Sequence, residues 1–342
     1  IFSYSETRQS LIIVRRRGCH PAAMTSPRSQ LVDPTTPGYY HCVSRCVRRA
    51  WLCGVDDYSG KTYEHRRQWV EDRLVELGGV FAVGVYAYAV MSNHLHVVIR
   101  LDPAMAWSWS AEEVASRWTA VFPLRVDGEV DEQATARRAE AIAGDPERTA
   151  RYRERLASLS WFMRCLNEPI ARRANREDRC TGRFWEGRFK CQALLDDAAV
   201  LACMAYVDLN PVRAGMAQDL TDSHHTSVKR RLEHDADDAP MAPIAGTVGP
   251  GPAISTRSYI AMLDWTGRIV KPGKCGVIAA DRPRILDQLG VREREWQAQV
   301  LGIESRYWRA VGAVQSLLHK AQAMGQQWLK GSGRHAIAAL HR

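Results

Sequence analysis

With 46% hydrophobic and 25% charged residues over 342 positions, the chain has the composition of a folded protein, long enough for one medium domain and a smaller accessory one. Its 47 Lys and Arg against 38 Asp and Glu give a net charge of +9 and a pI near 9.2, an excess carried mostly by arginine, whose planar fork matches phosphate oxygens and points to nucleic acid. No apolar run reaches membrane-spanning length, and nine cysteines without C-x-x-C spacing disfavour zinc fingers and disulfide frameworks, so a cytoplasmic, nucleoid-associated protein with reduced thiols and no membrane partner is expected.

Residues 1–36 read as a disordered or non-native leader, with Met24 the expected start. A first strand follows at 39–47, where β-formers alternate with polar residues after Pro37-Gly38. Trp69, Val70, Leu74 and Leu77 at helical spacing predict a helix over 62–77, stopped by Gly78-Gly79. The unbroken apolar run 80–90 predicts a central strand buried on both faces.

The turn at 91–93 leads into a strand carrying His94, Leu95 and His96. Strand side chains alternate, so both histidines share one face and Leu95, Val97 and Ile99 take the other. Paired imidazoles can bind a divalent cation; an isolated His-x-His also suits two hydrogen-bonded residues on a half-buried face.

Helical patterns follow at 111–122 and 158–174, flanking a charged insertion at 125–155 that reads as helical and solvated. Residues 181–195 form a hairpin-like lead into another strand. A helix capped by Asp196-Asp197 then runs to Leu209 before Asn210-Pro211. In this apolar helix Tyr206 and Asn210 stand four apart, on one face. The sum is an α+β fold, a mixed sheet with helices on one face. Residues 218–256 read as a linker, compositionally so over 235–255, and 257–342 as a helical accessory region.

Four segments, in order, carry a family resemblance: Tyr39-Tyr-His-Cys-Val-Ser-Arg45, His94-Leu-His96, Gly182-Arg-Phe-Trp-Glu-Gly-Arg-Phe189 and Ala205-Tyr-Val-Asp-Leu-Asn-Pro-Val-Arg-Ala-Gly215. Together they resemble the single-tyrosine HUH transposases, specifically the REP-associated, insertion-sequence-200-like branch, over about residues 37–217. The resemblance implies a ferredoxin-like core with an antiparallel sheet. It implies Mg²⁺ or Mn²⁺ held by His94, His96 and Asn210, and Tyr206 as the nucleophile that cleaves and rejoins single-stranded DNA through a 5′-phosphotyrosine, at palindromic hairpin repeats. A monomer or a homodimer is compatible with it.

Arg45, Arg48 and Arg49 beside the first strand, and Arg172, Arg173, Arg176, Arg183, Arg188 and Lys190 interleaved with Trp185, form the mixture expected of a DNA-gripping surface. Solvated surface charge over core aromatics is the competing reading of the same residues. An alternative function is a domesticated, catalytically silent nucleic-acid-binding regulator on the same fold.

Overall fold

A computed structural model describes residues 28–47, 52–56, 60–234, 238, 240–247, 249, 251–270, 286, 289–305 and 309–332. Arg48 and Arg49, and most of the leader, lie outside the described residues. The described chain runs β1 (Gly38–Arg45), α1 (Arg66–Val80), β2 (Val83–Val90), β3 (His94–Leu101), α2 (Pro103–Ser108), α3 (Ala111–Val121), β4 (Arg125–Val126) and β5 (Glu129–Val130). It continues through α4 (Glu132–Ala143), α5 (Pro146–Leu156), α6 (Leu159–Glu177), β6 (Lys190–Leu194), α7 (Asp197–Asp208) and α8 (Asn210–Arg213). Then come α9 (Ser227–Glu233), α10 (Thr256–Val270), α11 (Glu293–Gly302), β7 (Ala310–Val311) and α12 (Val314–Ala323).

The class is mixed α and β around a five-stranded sheet of order β2-β3-β1-β6-β7, antiparallel at every pair except the parallel β6–β7. β2 is buried throughout, as its apolar run predicts, yet it is an edge strand and not a central one. Its free edge is closed by residues expected to be linker. Val85 N–H donates to Ala245 O at 2.9 Å, Ile244 N–H to Val85 O at 2.7 Å, and Val90 N–H to His225 O at 3.2 Å. An unpaired buried edge would strand these backbone groups, which is why a Gly- and Pro-rich segment without periodicity is nevertheless held in place.

Gly246 shows how tight that closure is. It has φ +89°, and a Cβ there would fall 2.1 Å from Val83 O, so only glycine fits.

Helices cover both faces of the sheet, which corrects the expectation of one. Cross-strand partners share a face, so Val43 lies with His96 and Ser44 with Leu95. α6 packs on the Ser44 side, where Asn167 Nδ2 donates to Ser44 Oγ at 2.8 Å, and α1 joins it there through Phe81 against Phe162. α7 packs on the opposite side, where its Tyr206 ring meets His96. The reason is in its sequence: α7 is apolar all round, with every residue from Ala199 to Asp208 buried, so it needs cover on both its faces. The sheet supplies one cover and the carboxy-terminal helices α10 and α11 the other.

The insertion is helical, as expected, but only half solvated. Asp127 and Gly128, both at positive φ, turn the β4–β5 hairpin. α4 and α5 then fold back on α3, burying Ile142 and Leu156 and stacking Tyr152 on Trp118 at 4.2 Å between ring centres. In α6, Pro169 removes the N–H that would have bonded Cys165 O, and Arg73 Nε of α1 donates to that carbonyl instead, at 3.1 Å.

Candidate active site

Three imidazoles meet on the α7 face of the sheet. β3 contributes His94 and His96, and β1 contributes His41, two residues from the partner of His96 and so on the same face. His41 stacks on His96 at 5.2 Å and 11° between planes, and His94 meets His96 edge-on at 4.8 Å. His41 Nε2 and His96 Nδ1 are 2.9 Å apart, and His41 Nδ1 lies 2.8 Å from Gln192 Oε1 of β6. At the strand's start, His94 Nδ1 donates to Asn93 Oδ1 at 2.6 Å.

Burial dominates their protonation. His41 and His96 have almost no exposed surface, and the loss of water pushes both pKa values down, His96 furthest because His41 and His94 add like charge when protonated. His94 is lowered too, again chiefly by desolvation. All three are therefore neutral near pH 7, and each keeps a ring nitrogen with a lone pair.

α7 and α8 close the site from above. Asp196 caps α7, accepting from Ala199 N–H at 2.9 Å, and the helix places Tyr206 with its ring centre 5.7 Å from His96 and 6.2 Å from His41. One turn on, Asn210 Nδ2 donates to His96 Nε2 at 3.0 Å. The four-residue spacing thus brings Tyr206 and Asn210 to the histidine pair.

Two charged groups frame the phenol. Arg213, seven residues beyond Tyr206, has its guanidinium 4.8 Å from the phenol ring centre. Glu304, just past α11, faces both Tyr206 and His96, with Oε1 3.9 Å from His96 Nε2. Burial first, then Glu304, raises the Tyr206 pKa, so the phenol holds its proton at neutral pH and needs a base to lose it.

Sequence reasoning did not place His41, Gln192, Arg213 or Glu304 here. The Tyr206–Arg213 interval of two helical turns was a usable signal. His41 and Gln192 needed the β1–β3 and β1–β6 registers, and Glu304 needed the docking of α11, none of which has a local signature.

Among the described residues no three His, Cys, Asp or Glu side chains are gathered to hold a metal. A cation here would therefore rely on His94 and His96 with the amide of Asn210, turned to offer its oxygen. Neutral imidazoles and an amide suit such a set, which leaves positions for phosphate oxygens and water.

The basic residues divide into two groups. Arg45 is exposed and lies opposite His94 in the β1–β3 register, at the lip of the site, and Lys190 lies opposite Val43 on the histidine face. Exposed Arg183 and Arg188 belong to the segment that runs beside β1, where Glu186 N–H donates to Arg45 O. Arg172, Arg173 and Arg176 sit instead on the α1–α6 layer, across the sheet from Tyr206. There Arg172 pairs with Glu168, and Arg173 lies 3.8 Å from the centre of the Trp69 ring. Trp185 is half-buried, and its indole N–H donates to Asn167 O at 2.8 Å, which pins the segment to α6.

No family model matches the chain, and no curated protein sequence matches it. Among solved structures the chain is similar to a REP-associated tyrosine transposase bound to a REP hairpin, at 13% identity over 64% of this chain and 91% of that one, with a TM-score of 0.31. Among the described residues no helix is long and apolar enough to cross a membrane.

Proposed function

We propose that the protein is a metal-dependent DNA transposase of the REP-associated single-tyrosine type, cleaving and rejoining single-stranded DNA at hairpin repeats. The observation that carries this reading is the convergence of a buried tyrosine with a histidine pair and an asparagine that come from separate elements, in the roles the sequence resemblance implies. The strand order β2-β3-β1-β6, antiparallel at each pair, supports the ferredoxin-like core that belongs to the same reading.

In this mechanism Tyr206 Oη attacks the scissile phosphorus and the 3′ oxygen leaves, giving a 5′-phosphotyrosine and a free 3′-hydroxyl. Because its phenol is held protonated, the attack needs a proton acceptor, and the Glu304 carboxylate that faces it can serve. His94, His96 and Asn210 would hold Mg²⁺ or Mn²⁺, whose contribution when bound is to offset charge growing on the phosphoryl oxygens. Arg213 adds fixed positive charge at the same edge, and Arg45 and Lys190 can draw the DNA backbone to the lip. The phosphotyrosine keeps the bond energy, so a second 3′-hydroxyl can displace Tyr206 and rejoin the strand without a nucleotide cofactor.

The test is a denaturing gel with an end-labelled single-stranded hairpin and Mn²⁺. Wild-type protein should give a covalent protein–DNA band that Tyr206→Phe abolishes while still binding the hairpin. Tight hairpin binding with no adduct from the wild type would favour a silent regulator instead.

A further inference from the structure

The hydrogen bonds behind His96 form a chain whose direction is set at its far end. Gln192 Nε2 lies 2.8 Å from the backbone carbonyl of Ile303, and a carbonyl can only accept. Gln192 therefore spends its N–H there and turns Oε1 to His41 Nδ1, 2.8 Å away. That oxygen also only accepts, so His41 carries its proton on Nδ1 and presents a bare Nε2 to His96 Nδ1 at 2.9 Å. His96 must then be protonated on Nδ1. Its Nε2 is left with a lone pair, which matches the N–H that Asn210 offers there at 3.0 Å.

The opposite direction fails at one point. Reversing every bond would set Gln192 Oε1 against Ile303 O, two acceptors in contact inside a buried site.

From this we infer that His41 and Gln192 are positioning residues, anchored on the Ile303 carbonyl, that hold His96 as its Nδ1–H tautomer with the Nε2 lone pair aimed at the Asn210 side of the site. The inference deepens the reading of His96 as a cation ligand and rests on it for its purpose. A ligating histidine needs its metal-facing nitrogen bare and its ring fixed by a partner on the other nitrogen. His41 is that partner, Gln192 orients His41, and the segment after α11 orients Gln192. The carboxy-terminal region thus belongs to the site's scaffold twice, through the Ile303 carbonyl and through Glu304.

Two measurements on the full-length protein test this. The first is the imidazole ¹⁵N spectrum of metal-free wild-type protein with labelled histidine, assigned with a His96→Gln variant; His96 should show a protonated Nδ1 and a bare Nε2, and the reverse tautomer would overturn the relay. The second is Mn²⁺ affinity by paramagnetic-resonance titration without DNA. Gln192→Leu and His41→Leu should each weaken it about 10- to 100-fold while hairpin binding in EDTA stays intact. His41→Gln, which can still accept from His96, should recover most of the affinity. Wild-type affinity in folded Gln192→Leu would overturn the positioning role. If wild-type protein bound no Mn²⁺ or Mg²⁺, the ligand reading of His96 would fall, and the ¹⁵N spectrum would still decide the tautomer; it also decides should the leucine variants not fold.

Discussion

Replacing Asp208 by alanine should release the carboxy-terminal half of the protein from the helix that carries Tyr206. Asp208 is fully buried in the last turn of α7, and its carboxylate accepts from Ser227 Oγ, from Val228 N–H at 3.0 Å and from Tyr259 Oη at 2.6 Å. Those donors belong to α9 and α10, so one side chain clasps three elements. Alanine would leave two hydroxyls and one amide buried without this acceptor, each costing about 1–3 kcal/mol. Burial also raises the Asp208 pKa, and relief of that desolvation offsets part of the loss. The expected net destabilisation is about 3–5 kcal/mol, the range for breaking a buried polar network from one side. At roughly 2 °C per kcal/mol for a chain of this size, the Tm should fall by about 6–10 °C. A double-mutant cycle with Tyr259→Phe should show a coupling of about 1–2 kcal/mol, since both changes remove the same bond. Urea denaturation followed by tryptophan fluorescence measures the destabilisation and the coupling, and a thermal melt measures the Tm. A loss under about 1 kcal/mol for Asp208→Ala, outside the range for breaking such a network, would refute the clasp.

Three further outcomes follow from the same geometry. Gly246→Ala should cost at least about 2 kcal/mol by denaturant titration, because the new Cβ collides with Val83 O at a positive φ; a neutral effect would mean that the segment closing the β2 edge is not held as described. Because the folded-state pKa values of His41, His94 and His96 lie below the ordinary histidine value near 6.5, the unfolded chain takes up protons first, so stability should be full above that pH and erode as pH falls beneath it; His41→Gln should shallow the slope, and an identical slope would argue against buried neutral imidazoles. Arg45→Ala combined with Lys190→Ala should weaken hairpin binding and reduce the salt dependence of log Kd by about 0.7 per lost single-strand phosphate contact, more than Arg172→Ala with Arg176→Ala does; equal effects would place the DNA path on the α1–α6 layer.

Much of the frame was legible because it is local. The alternation of β1 and β3 and the Asp196 cap of α7 are encoded within a few residues of where they act, whereas α1 runs through Gly78-Gly79, expected to stop it, and ends at Val80. The pairing of Tyr206 with Asn210, which a helical turn guarantees, was legible too. What escaped depends on registers and docking between distant segments. His41 reads as one polar position in a strand until β1 is set against β3, and Glu304 as one more surface acid until α11 lies against α7. The 240–247 segment has linker composition because its work is done by backbone groups pairing with β2, which side-chain patterning does not record. β7, two residues long, is too short for any period to mark. The second helical layer was missed for a different reason: α7 is apolar all round, so its sequence announces burial without saying against which face of the sheet.

The central claim is that Tyr206 forms the bond to DNA. Wild-type protein incubated with a single-stranded hairpin and Mn²⁺, digested with protease and nuclease and read by tandem mass spectrometry, should yield a nucleotide adduct on the peptide containing Tyr206, attached through a 5′ phosphate. An adduct on any other residue, or cleavage that proceeds with free 5′ phosphates and no peptide adduct, would contradict the account.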